Sequence, residues 1–289
     1  MPDQFSLNLG GINFSLSPDQ PAGEYSLIKR MQDFMVPANP DIILNVKCGW
    51  FPDLMDWELK FSTNNHAWNA YEDNGKKVIK VSSPHQTRYQ LGFFTPDFRS
   101  GDIHIAKDIN NENKYIFPLS YPMGELYMMH LLGTGLGILF HASGVIIQKK
   151  GLLFTGHGRA GKTTIANLFH NQGNATIVND DKVLVRKSEK NFQLYGTPWH
   201  GDGGYVSPES APLKKVFILA QAKTNYIKPL KPAQAVGLLL ARSFLPMWDD
   251  AKVSFSLGFL ESLCNAVPCF ELGFLPNVSV VDFVLSLDY

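Results

Sequence analysis

The N-terminal part of the chain alternates between apolar and polar positions. Ile12-Asn13-Phe14-Ser15-Leu16 sets one against the other in turn, and Trp57-Glu58-Leu59-Lys60-Phe61 does the same. A period of two points one face of a segment at a core and the other at water, so both predict half-buried strands. Gly10-Gly11 predicts the turn of a first hairpin. Asn74-Gly75 is the strongest hairpin signal in the chain, because both residues tolerate the positive φ of a type I′ turn. Ile103-His104-Ile105 and Tyr115-Ile116-Phe117 predict a later pair around a polar turn at 110–113. His66, His85 and His104 are scattered over this region and read as structural or surface groups.

After Pro118 the period changes. Pro122 suits the start of a helix, predicted to run to about Leu136. Strands are predicted near 138–141, 145–148, 152–155, 176–178, 183–186, 213–220 and 267–274. Helical spacing marks 164–169, which Gly173 would end, then 233–244 and a last helix at 278–287. Strands interleaved with helices predict an α/β fold. The expected organisation is a β-rich domain over 1–117 and an α/β domain over 118–289. No internal repeat is visible.

Composition narrows the class. At 45% hydrophobic and 18% charged, the 289 residues read as globular. Lys+Arg and Asp+Glu are equal at 26 each, which argues against a nucleic-acid footprint or a polybasic membrane patch. The start, MPDQFSLNLGG, lacks the basic and apolar regions of a signal peptide. The most apolar stretch, 131–140, is short, carries three glycines and cannot span a bilayer. Cys48, Cys264 and Cys269 have neither a metal spacing nor an even count, and suggest thiols in a reducing compartment. The expectation is a cytoplasmic protein with neither nucleic-acid nor membrane partners.

The candidate chemistry lies in "GLLFTGHGRAGKTTIANLFHNQGNATIVNDDKVLV". Gly156-His157-Gly158-Arg159-Ala160-Gly161-Lys162-Thr163 matches G-x-x-x-x-G-K-[ST] in full, and Thr164 follows it. A chance match in a chain of this length is roughly a 1% event. An apolar strand leads in and a helix leads out. Glycines let backbone N–H groups turn toward phosphates, and the helix start adds a positive dipole end. Lys162 supplies a point charge to β/γ oxygens, and the Thr163 hydroxyl can ligate Mg²⁺. ATP and Mg²⁺ are the expected ligands. Arg159 either reaches the γ-phosphate or lies solvated at the rim, and His157 reads as a filler among loop groups.

Only 18 positions separate Lys162 from Asp180. The strand-like 174–178 delivers Asn179, Asp180 and Asp181 at its C-terminal end, and one right-handed crossover would set that end beside the glycine loop. One carboxylate would hold Mg²⁺ and the other would take a proton from an acceptor hydroxyl. The residues alone do not say which is which, and the bland alternative is a pair capping a turn. "YGTPWHGDGGY" at 195–205 is a loop of the kind that carries function, with Trp199 and His200 as candidates to meet an acceptor. Arg242 is a candidate charge stabiliser or a helix-surface arginine.

Phe140-His141-Ala142-Ser143-Gly144-Val145, then the glycine loop, then "IVNDD", in that order and at those gaps, resemble the HPr serine kinase/phosphorylase family. More closely they resemble the HPr-kinase-related proteins of peptide-modification systems, including kinases of lasso-peptide precursors. "YGTPWHGDGGY" is similar to a loop in those relatives. The resemblance covers about 118–289. It implies a phosphate-loop core related to that of phosphoenolpyruvate carboxykinase, and ATP-dependent phosphorylation of a serine in a small protein or peptide. It also implies Asp180 as base, Asp181 as metal ligand and His141 near the transferred phosphate, and it leaves room for a homo-oligomer. Two departures stand out. The glycine-rich phosphorylase signature, close to "LGRGLGE", is missing after the aspartates, so a one-way kinase is expected. Asn179 stands where alanine or serine is more usual. A nucleotide-binding regulatory module without transferase activity and a small-molecule kinase remain as alternatives.

Overall fold

The computed structural model describes residues 4–21, 25–26, 29–54, 56–82, 89–108, 111–189 and 191–287. The chain is mixed α/β, rich in strands, and divides into two compact units, Met1–Thr134 and Gly135–Tyr289.

The first unit contains β1 (Phe5–Leu9), β2 (Ile12–Pro18), β3 (Tyr25–Ser26), β4 (Ile42–Cys48), β5 (Glu58–Ser62), β6 (Trp68–Asp73), β7 (Lys76–Val81), β8 (Gln90–Phe94), β9 (Ser100–Ile105), β10 (Lys107–Asp108), β11 (Asn111–Ile116) and α1 (Met123–Leu132). Eight strands form one sheet in the order β1-β2-β4-β9-β8-β7-β6-β5, and β10-β11-β3 form a small second sheet. Both hairpin turns fall where the glycines predict, with Gly10 and Gly11 at φ 63° and 73° and Asn74 and Gly75 at 48° and 79°. The expected pairing of 103–105 with 115–117 does not form. Both edges of β9 are taken, by β4 and β8, so β11 turns to β10 and runs parallel to β3. Position 110 of the expected turn lies outside the described residues. Of the histidines, His66 is exposed, His104 is buried with Nδ1 at 2.7 Å from the Trp50 carbonyl, and His85 lies outside the described residues.

Every residue of α1 is buried. Tyr127 donates to the Phe98 carbonyl, and the His130 ring stacks on Phe98 at 4.8 Å. The helix packs with the N-terminal strands, so the units divide after residue 134 instead of after 117, where the change of period had placed the boundary. No helix among the described residues is long and apolar enough to cross a membrane.

The second unit contains β12 (Ile138–Ile147), β13 (Lys150–Thr155), α2 (Lys162–Asn171), β14 (Ala175–Asn179), β15 (Lys182–Lys187), β16 (Phe192–Tyr195), β17 (Ser210–Gln221), β18 (Tyr226–Pro229), α3 (Pro232–Leu240), β19 (Ser243–Phe244), α4 (Asp250–Ala266), β20 (Cys269–Phe274) and α5 (Ser279–Leu285). β13, β17 and β20 run parallel, and the strands beside them run antiparallel. Leu152 and Phe154 of β13 pack in one apolar cluster with α2 and α5, while Leu153 packs in another with α3 and α4. Burial on both faces explains why β13 reads as a continuous apolar run.

Besides β16 and β18, for which no strand was expected, three elements of this unit differ from expectation. The two strands expected at 138–141 and 145–148 are one, β12; Gly144 carries it past Val178, whose Cγ2 would lie 2.6 Å from an added Cβ. The helix expected over 233–244 stops at Leu240, because Ser243 and Phe244 pair with β12. The longest helix, α4, was not expected at all. Its signal was present: the Asp249 carboxylate accepts from the Lys252 N–H, and Lys252, Ser256, Phe259, Leu260 and Leu263 bury at helical spacing.

Candidate functional site

Both edges of β12 change partner at the same point. Along one edge β13 pairs as far as Ala142↔Thr155, and β19 takes over at Phe140↔Ser243. Along the other, β14 pairs as far as Gly144↔Asn179 and β15 resumes at His141↔Lys182. β14 and β15 are therefore two halves of one antiparallel neighbour, and Asp180-Asp181 occupy the break between them. Side chains and backbone lock the junction. Thr155 Oγ1 donates to the His141 carbonyl (2.7 Å), His141 N to the Arg242 carbonyl (2.8 Å), Ala142 N to the Asp181 carbonyl (2.9 Å) and Ser143 Oγ to the Asp180 carbonyl (3.1 Å). The acids were expected on the strand next to the glycine loop. Instead β12 lies between β13 and β14, and it inserts His141 between the loop and the acids.

The loop after β13 is shaped by close approach. An added Cβ on Gly156 would meet the Ala160 Cβ at 2.6 Å, and one on Gly161, at φ +103°, would meet the Phe274 ring at the same distance. Gly158 has open space around it. Lys162, Ile165, Ala166 and Phe169 bury one stripe of α2, which holds the helix start in place. That start has no side-chain cap and no acid in its first turn, a setting that favours an anion. His157 and Arg159 are exposed; Thr163 and Thr164 are half-buried. Burial pushes the Lys162 ammonium below its ordinary pKa, Arg242 pushes the same way, and Asp181 opposes both.

Asp181 is the centre of an ionic cluster. Its Oδ1 lies 3.2 Å from His141 Nε2, and its Oδ2 holds the Lys182 ammonium. Burial works against its charge, but Lys182, His141 and Lys162 together keep the carboxyl below the usual carboxylate range. Burial and the Lys162 charge push His141 below the ordinary imidazole value, against the pull of Asp181. The imidazole stacks on Phe244 at 6.0 Å. Arg242 is buried, donates from one terminal nitrogen to the Leu238 carbonyl (2.6 Å) and sets the other 3.0 Å from His157 Nε2. Its Nε has no hydrogen-bond partner among the described residues, and burial lowers its pKa. It is a buried cation beside the loop, not a helix-surface residue.

Asp180 is in a different setting from its neighbour. It is 1% exposed, with Oδ1 accepting from Gly201 N (3.1 Å) and Oδ2 from Gly203 N (2.7 Å). Neither glycine has room for a side chain: a Cβ on Gly201 would lie 2.8 Å from the Asp181 Cβ, and one on Gly203 would lie 2.9 Å from Thr163 Cγ2. Asn179 ties the same loop from behind. Its Nδ2 donates to the Thr197 and Trp199 carbonyls, both at 2.9 Å, while its Oδ1 accepts from Asp181 N (2.8 Å) and Lys182 N (2.7 Å). Neither alanine nor serine could span these partners, which accounts for asparagine before the pair.

The glycine loop, Lys162, His141 and both aspartates are thus gathered at one place. Trp199 is buried and faces the interior, and His200 is exposed with Nδ1 2.6 Å from the Gly201 carbonyl. Sequence reasoning missed Asn179, Lys182, Gly201 and Gly203 as site residues. The cation directly after the acids and the G-D-G-G spacing were the available signals. Among the described residues, no three His, Cys, Asp or Glu side chains gather as a metal cage. Asp181 and the Thr163 hydroxyl suit a cation that keeps its remaining ligands as water and phosphate, which is the habit of Mg²⁺.

No family model matches the chain, and no curated protein matches it. Among solved structures, the HPr(Ser) kinase/phosphatase from Coxiella burnetii aligns over 51% of this chain and 93% of that one, with a TM-score of 0.32 and 13% identity. At that level the likeness decides neither fold nor activity.

Proposed function

We propose that the second unit is a cytoplasmic ATP- and Mg²⁺-dependent kinase of the HPr-kinase type. It passes the γ-phosphoryl group to a serine hydroxyl of a small protein or peptide. The observation that carries this reading is the meeting, at His141-Ala142 of β12, of a glycine loop with Lys162, a carboxylate pair and the buried Arg242. Two buried cations beside an uncapped helix start suit a polyphosphate.

In this reading the backbone of 156–161 and Lys162 take the β- and γ-phosphates, and Arg242 adds a second charge. Thr163 and Asp181 would hold Mg²⁺, which when bound neutralises charge on the phosphates. His141, kept neutral by burial, fixes Asp181 through Oδ1. The serine Oγ bonds to the γ-phosphorus as the bond to the β–γ bridging oxygen breaks, and the hydroxyl proton passes to Asp180. Each Asp180 oxygen accepts one backbone N–H, from Gly201 or Gly203, and keeps a second lone pair that can take this proton. The loop 195–205 contains neither Lys nor Arg to hold a second anion, which supports transfer in one direction only.

The test is incubation of the full chain with ATP, Mg²⁺ and serine-containing peptides, followed by mass spectrometry. Phosphoserine that disappears with Asp180→Asn supports the kinase. One observation favours a nucleotide-binding module without transfer: Asp180 is buried and tied to the loop backbone through both oxygens. Tight nucleotide binding, absence of phosphopeptide and indifference to Asp180→Asn would establish that reading instead.

A further inference from the structure

The proposed reaction gives no task to Lys182, yet the fold fixes this residue firmly. Its N–H donates to Asn179 Oδ1 at 2.7 Å, its carbonyl accepts from Thr197 Oγ1 at 2.7 Å, and it pairs with His141 across the ladder. Its side chain is 10% exposed and its ammonium sits on Asp181 Oδ2. Since His141 takes Oδ1, both oxygens of the carboxylate assigned to the metal are engaged. A metal ion that takes Asp181 competes with both groups for the carboxylate.

Charge decides when that happens. Lys162, Lys182 and Arg242 are three cations, and Asp180 and Asp181 are two carboxylates, so the cations of the cluster outnumber its acids. A divalent cation arriving alone would add positive charge to a half-buried site that already holds three cations, and would draw Asp181 away from a buried ammonium. A metal arriving on a nucleotide triphosphate brings a net charge of about −2, and with it an anion that Lys182 can turn to.

We propose that Lys182 makes metal binding conditional on nucleotide. It holds Asp181 when the site is free, and hands the carboxylate to the metal as it moves to a phosphate oxygen. The proposal rests on the reading of this unit as a Mg²⁺-nucleotide site.

Mn²⁺ titration followed by electron paramagnetic resonance, with and without a non-hydrolysable ATP analogue, tests it on the full chain. Wild type should bind Mn²⁺ at least tenfold more weakly alone than with the analogue. Lys182→Met should bind Mn²⁺ alone at least tenfold more tightly than wild type, and adding Asp181→Asn to that variant should abolish the gain. Lys182→Arg, which keeps the cation, should behave as wild type. Equal Mn²⁺ affinity of wild type and Lys182→Met without analogue overturns the proposal. So does wild-type Mn²⁺ affinity that ignores the analogue, a comparison that needs no variant to fold. Calorimetry showing that wild type binds no analogue at all, with or without Mn²⁺, would instead remove the site reading beneath it.

Discussion

Among the described residues of Met1–Thr134 the buried polar side chains are Ser15, Gln90, His104, Ser120, Glu125 and His130, and Glu125 alone is an acid or a strong base. In Gly135–Tyr289 the buried charged residues are Lys162, Asp180, Lys182, Lys215, Arg242 and Lys252. Four of the six meet around one point of β12. Burying an ion costs several kcal/mol unless it is paired and hydrogen-bonded. A sheet that only has to pack avoids that cost, as the first unit does with apolar strands and ring contacts. Here Lys162 and Asp181 shift each other's ionisation and both shift that of His141, a pattern concentrated at functional sites. The contrast is one of buried charge: among the described residues the first unit buries Glu125 alone, and the second gathers most of its buried ions around β12.

The sharpest way to break that contrast is to neutralise one buried acid in each unit. Asp180→Asn should lower phosphoryl transfer by about 10²–10⁴-fold while nucleotide affinity stays nearly constant. Glu125→Gln should leave transfer unchanged. Equal losses, read in the same peptide assay, would erase the distinction. Next are the two buried amides. Asn179→Ala removes the acceptor of two N–H groups and a donor to two carbonyls and should cost roughly 3 kcal/mol in urea unfolding. Gln90, whose Nε2 donates to the Pro118 carbonyl at 2.9 Å and more weakly to that of Phe117, should cost about 1 kcal/mol when replaced by alanine.

Smaller effects separate glycines inside the second unit. Gly203→Ala would set a Cβ 2.7 Å from Asp180 Oδ2 and should cost about 1–3 kcal/mol in stability while disturbing transfer. Gly158→Ala, with open space around it, should be close to neutral in a thermal melt. The smallest effect is the pH dependence. The folded pKa of His141 is lowered, so the unfolded chain binds its proton first. The associated stability is present above the ordinary imidazole value of about 6.5 and fades as pH falls below it. Asp181, also lowered, acts in the same direction at more acidic pH. His141→Gln should flatten the fall in melting temperature between neutral and mildly acidic pH; an unchanged slope would contradict the assignment.

Local signals were read well and long-range ones were not. The strand, glycine loop and helix at 150–171 follow from apolar runs and glycine spacing that a few residues carry. The Asn74-Gly75 hairpin does too. The position of β12 between β13 and β14 could not be read this way, because β12 and β13 form a local hairpin but β12 and β14 pair across some thirty residues. The same holds for Asn179, whose partners at Thr197 and Trp199 lie about twenty residues on, and for Arg242, which is 85 positions from His157. Its place inside the helix expected over 233–244 gave the helix-surface alternative, whereas α3 ends at Leu240 and Arg242 lies buried on the turn into β19.

The central assignment, a polyphosphate on the loop 156–161 with Lys162, is tested most directly by calorimetric titration of a Mg²⁺-loaded ATP analogue. We expect wild type to bind, and Lys162→Ala to lose about 2–4 kcal/mol of binding free energy through one charge-assisted contact. Lys77→Ala, which removes a partner 2.7 Å from Glu72 in the first unit, should bind as wild type does. Equal affinity of wild type and Lys162→Ala, or a wild-type chain that takes up no nucleotide, would contradict the assignment.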